Sequence, residues 1–147
     1  MSDIILKIAA GAFVGTSLMT AYSYYRSHRL NRQFKEPKLL NTFLNRSELT
    51  AGKQVPPVSG WLLHYAVGLQ FIVLYHIIWE LTAINPSVLS GSLMGLANGF
   101  AGIAGWALLF RLHNNPPSVD LSKYYLHLII AHIIFGASGT AAYMLVD

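Results

Sequence analysis

Trp61-Leu-Leu-His64-Tyr-Ala-Val-Gly68-Leu-Gln-Phe71-Ile-Val-Leu-Tyr75-His76-Ile-Ile-Trp79-Glu80 is the stretch that decides the fold. Its 20 residues carry one formal charge, at the last position. That is long and apolar enough to cross a bilayer, and a Trp near each end suits the headgroup region. Inside it lies His64-x3-Gly68-x6-Tyr75, and the same spacing returns near the C-terminus as His132-x3-Gly136-x6-Tyr143. At about 100° per residue, these offsets keep each set on one side of a helix. Two histidines on matching stripes, both inside membrane-length segments, are therefore expected to face one interior.

Composition supports a membrane chain. Of 147 residues, 54% are hydrophobic and 11% charged, and the mean hydropathy is +0.46. A soluble domain carries about 25% charged residues. With no cysteine, a disulfide, a thiolate metal site and a thiol nucleophile are all excluded.

Apolar runs predict membrane-spanning helices over about 4–25, 60–81, 88–110 and 121–146, in one domain covering 1–147. The first run is preceded by Asp3 and lacks a basic leading segment, so it reads as a retained helix rather than a cleaved signal. Between the first two spans, residues 26–57 hold seven Lys/Arg against Glu36 and Glu48, a net +5. Residues 111–123 form the other basic connection. The excess of Lys and Arg predicts that both loops are cytoplasmic and both termini outside. Within the long loop, Leu39, Leu40, Phe43 and Leu44 recur at helical spacing after Pro37. They predict an amphipathic helix over about 37–50, lying on the membrane surface. Basic residues across 26–53 would favour anionic lipid. No recognition motif supports a nucleic-acid partner.

Glycine sets the expected packing. Gly11-x3-Gly15 in the first span and Gly91-x3-Gly95-x3-Gly99 in the third are faces on which a neighbouring backbone comes close. Gly68, Gly136 and Gly139 continue the histidine stripes. The Asn85-Pro86 turn predicts an antiparallel hairpin of the second and third spans. The order glycine-rich span, basic loop ending in Pro-Pro, span with His-x3-Gly-x6-Tyr occurs twice. The expected fold is thus an all-α integral membrane four-helix bundle of two parallel-repeat hairpins, plus the interfacial helix.

His64, His132, Tyr22, Tyr75 and Tyr143 are the candidates for a buried polar cluster, with Tyr22 the expected partner of His64. An interhelical hydrogen bond is the simplest use of such histidines. A b-type haem held by His64 and His132, with Gly68 and Gly136 beside the ring, is the alternative with a cofactor. His76 and Glu80, one turn apart, could serve a proton relay. No metal cluster and no catalytic nucleophile–base pattern is legible.

Gly11, Gly15, Thr16 and Met19 in the first span, with His132, Phe135, Gly136, Gly139 and Tyr143 in the last, resemble small bacterial inner-membrane proteins of the YagU type. The resemblance covers two helices and implies a four-helix protein of the bacterial inner membrane, without catalytic residues. Function is bounded rather than named. A structural or accessory subunit of a membrane assembly, or a homo-oligomer, is the expectation. A haem- or quinone-binding redox subunit and a small transporter are the alternatives.

Overall fold

α1 runs from Ser2 to Leu30, well past the end of its apolar run. Asn31 stops it, with φ at +48°. Asn31 N–H donates to His28 C=O at 3.4 Å and Arg32 N–H to Ser27 C=O at 3.1 Å. That paired closure is a left-handed helix cap, a role Asn fills almost as well as Gly. The computed structural model describes residues 2–50 and 52–146. Met1, Ala51 and Asp147 lie outside the described residues.

α2 (Glu36–Arg46) follows the turn, with Pro37 in its opening turn, and a single 3₁₀ turn occupies Glu48–Thr50. α3 (Val58–Leu81), α4 (Val88–Leu112) and α5 (Leu121–Leu145) complete the chain. Ser87 and Ser90 cap α4 reciprocally, and the Asp120 carboxylate caps α5 by accepting from Lys123 N–H at 3.3 Å. Among the described residues, four helices (α1, α3, α4, α5) are long and apolar enough to cross a membrane. Their outward faces expose large apolar side chains, such as Phe13, Leu62, Leu93 and Phe100, as a lipid solvent requires.

α5 is the axis of the bundle. Half of its apolar window (50%) is buried within the protein, against 22% for α3 and for α4. It packs along α1 on one side and α4 on the other, while α3 leans on α1 and α2. Glycine permits both α5 seams. A Cβ on Gly11 would stand 2.9 Å from the Gly139 carbonyl, and one on Gly99 would stand 2.9 Å from Ile129 Cα. At Gly91 and Gly95 a Cβ would overlap the Gly136 and His132 carbonyls outright.

Two expectations from the sequence need correction. α3 and α4 follow one another through a tight turn yet scarcely touch, so they do not pack as a hairpin. The repeat would make α3–α4 packing equivalent to α1–α5 packing, and the two differ sharply. The physical reason is side-chain bulk. The glycine face of α4 is spent on α5, and α3 offers α4 no small-residue face in return. The second correction concerns α2. Its apolar face docks on the end of the bundle rather than on lipid alone. Leu39 and Phe43 are buried. Phe43 packs its ring against Trp106 and Phe110 of α4, and α2 passes so close to α3 that a Cβ on Gly60 would overlap the Pro37 carbonyl. Phe34, just before α2, stacks on Tyr124 and His127 of α5. Polar ties hold this closure, among them Arg32–Asp120 at 2.6 Å and Asn114 Nδ2 donating to Glu48 at 3.1 Å.

Candidate functional site

Where α3 and α4 part, the bundle encloses a cavity of about 260 Å³. α2 closes its end at Glu36 and Leu40, and α1 and α5 form its back wall through Thr16, Met19 and His132. Val67 on α3 and Leu109 on α4 both line it and are 42% exposed at the outer surface. The cavity therefore opens sideways, between α3 and α4, toward the lipid. Gly102 and Gly105 of α4 keep it empty: a Cβ on Gly105 would meet nothing within 4 Å.

His64 and His132, on α3 and α5, both line this space and are both buried. Hydrogen bonds fix the tautomer of each. Thr20 spends its one hydroxyl proton on the Thr16 carbonyl at 2.6 Å. Its oxygen, 2.9 Å from His64 Nε2, can then only accept, so Nε2 carries the proton. His132 Nδ1 lies 2.8 Å from the Leu128 carbonyl, which also only accepts. In the neutral rings, His64 Nδ1 and His132 Nε2 are left as bare lone pairs, neither with a partner among the described residues. The Cε1–Nε2 edge of His132 faces Gly102, where a Cβ would stand 3.1 and 3.3 Å from those atoms. Orientation of an imidazole through its far nitrogen is the arrangement by which proteins present histidine to a metal or a donor.

Beside the cavity lies a second buried polar group. Ser23 donates to Glu36 Oε1 at 2.9 Å, and His127 Nε2 sits 2.9 Å from Ser23 Oγ and 3.3 Å from Glu36 Oε1. The His127 ring is sandwiched between Tyr22 and Phe34, with centroids at 5.2 and 4.6 Å. Serine and carboxylate meet the same imidazole nitrogen, so this is not the relay of a nucleophilic triad, which needs them on opposite nitrogens. Glu36 lines the cavity and is 2% exposed; its Oε2 has no partner among the described residues. Thr16 Oγ1, also buried and lining, is likewise unpartnered there.

The five residues expected to cluster separate into distinct contacts. Tyr22 stacks on His127, and Thr20, not Tyr22, binds His64. Tyr75 accepts from Asn98 Nδ2 at 2.7 Å, and Tyr143 pairs with His76 at 2.7 Å toward the far end of the bundle. Two residues apart, Thr20 and Tyr22 lie on opposite sides of α1, so Thr20 faces His64 on α3 while Tyr22 faces His127 on α5. Of the glycines expected beside a haem, Gly68 lines the cavity, whereas Gly136 is packed against Gly91. Thr16, Thr20, Ser23 and Ser27 were the missed signal. All four are buried hydroxyls on α1, and their offsets of 4, 7 and 11 repeat those of the histidine stripes.

Fold and site together define a small polytopic membrane protein with a histidine-lined chamber open to the lipid. Set against family models, curated proteins and solved structures, the chain matches none of them.

Proposed function

We propose that this is a membrane-embedded binding protein that takes a lipophilic ligand laterally from the bilayer. The observation that carries this reading is the pair of lone pairs, His64 Nδ1 and His132 Nε2, held by separate hydrogen bonds on rings that line one largely apolar cavity. Small-molecule sites are concave and apolar, with a few placed polar groups. The basic loop supports an orientation in which α2 and the cavity floor lie on the cytoplasmic side, with both termini outside and anionic headgroups near residues 26–53. The YagU-type resemblance supports a bacterial inner membrane. A structural or accessory role in a larger assembly is compatible with this reading, the chamber then serving a ligand of that assembly.

Trp106 lines the cavity and makes the test direct. Bromobenzene should quench the Trp106 component of the fluorescence, with Trp106→Phe reporting the background from Trp61 and Trp79. Gly105→Leu should remove the quenching by filling the chamber while the protein stays folded. Quenching that is indifferent to Gly105→Leu would leave only the architectural role. A Soret band lost singly in His64→Ala and His132→Ala would identify the ligand as haem.

A further inference from the structure

The unpartnered polar atoms around the chamber describe the head group it accepts, an inference that rests on the binding role above. Two of them accept: His64 Nδ1 and His132 Nε2. Against them stands one donor among the lining side chains, the Trp106 indole N–H; the Thr16 hydroxyl is packed against Gly68. An acceptor that a ligand covers without giving it a partner costs binding, so a chamber that presents two such acceptors selects a ligand that donates.

Size narrows the ligand further. A dry cavity of about 150 Å³ holds one benzene ring, so a cavity of about 260 Å³ holds one substituted ring. A porphyrin, with four pyrroles and their bridges, exceeds it. The two imidazole lone pairs come from helices on different sides of the space, and the lateral opening between α3 and α4 leaves an exit for a hydrocarbon tail.

We infer that the chamber binds the ring of a lipid-soluble hydroquinone. Its two opposed hydroxyls donate to His64 Nδ1 and His132 Nε2, and its tail leaves between α3 and α4. The corresponding quinone presents carbonyl oxygens to both acceptors and is disfavoured. So is the dimethyl ether, which has the same ring and no proton to give.

Competition against bromobenzene quenching of Trp106 tests this on the full-length protein in detergent. The competitors are decylhydroquinone, its quinone and its dimethyl ether. The hydroquinone should displace the probe at roughly tenfold lower concentration than either of the others. His64→Phe and His132→Phe keep a ring of similar size and remove the acceptor. Each should cut that preference roughly five- to tenfold while bromobenzene still binds. Equal displacement by all three competitors overturns the hydroquinone assignment and leaves lipophilic binding standing. Preference retained in both Phe variants overturns the role of the histidines. Failure of bromobenzene itself to bind overturns the binding role and the hydroquinone with it. A Soret band in the purified protein would replace hydroquinone by haem.

Discussion

The two ends of α4 use the same residue for opposite purposes. Toward its start, Gly91, Gly95 and Gly99 let α5 come so close that any side chain would collide with backbone. Toward its end, Gly102 and Gly105 line a space, and Gly105 has nothing within 4 Å of where a Cβ would go. Glycine thus closes one seam and holds another open along a single helix. A run of glycines in a membrane span therefore does not by itself mean helix packing.

The largest expected effect is at the closed seam. Gly95→Leu should cost at least about 3 kcal/mol, because the clash is with the His132 carbonyl and backbone cannot step aside. The unfolding midpoint of purified protein, titrated with a denaturing detergent, measures it. Ser23→Ala comes next, at about 1–3 kcal/mol in the same assay. It takes a donor from the buried Glu36 carboxylate and the neighbouring oxygen from His127. Gly105→Ala should move the midpoint the other way, by about 0.5–1 kcal/mol, since a helix gains when glycine is replaced where space is free. Equal losses at Gly95 and Gly105 would erase the distinction between the two ends.

Asp120 gives the smallest effect. The Lys123 backbone N–H, with Arg32 and the Lys123 side chain nearby, holds its carboxyl below the usual carboxylate range. A folded-state pKa below the unfolded value contributes stability above about pH 4 that is lost as pH falls through the folded value. The gap in thermal stability between the wild type and Asp120→Asn should stay constant from pH 7 to about pH 5. It should then close as the medium becomes more acidic. A gap that persists at pH 3 would show that the cap acts without its charge.

Much of this architecture was legible in the chain. Length and hydropathy are properties of a segment alone, so all four spans could be found, although α1 runs on to Leu30 past the end of its apolar stretch and α2 stops at Arg46. The turning inward of His64 and His132 was legible from their period, and both are buried. What escaped depends on which helices become neighbours. The Asn85-Pro86 turn joins α3 to α4 in sequence, but the available small-residue faces decided that α4 would pack on α5. Glu36 read as one more loop charge, because only the Asn31 cap turns the chain back and carries that carboxylate under the bundle. The spacing of Tyr22 matches the histidine stripes, but the helix that each side of α1 meets, α3 for Thr20 and α5 for Tyr22, is not a property of the segment. The hydroxyl stripe from Thr16 to Ser27 had the right period all along.

The docking of α2 has a consequence for how the protein is made. Phe43 finds its place against Trp106 and Phe110, and Phe34 against Tyr124, residues synthesised long afterwards. At about 5–20 residues per second, translation leaves α2 waiting several seconds for α4 and longer for α5. During that interval α3, made next and packed on α2, covers part of it, while Phe34 and Phe43 still lack their aromatic partners. The chamber acquires its floor last, when the final span is already in the membrane.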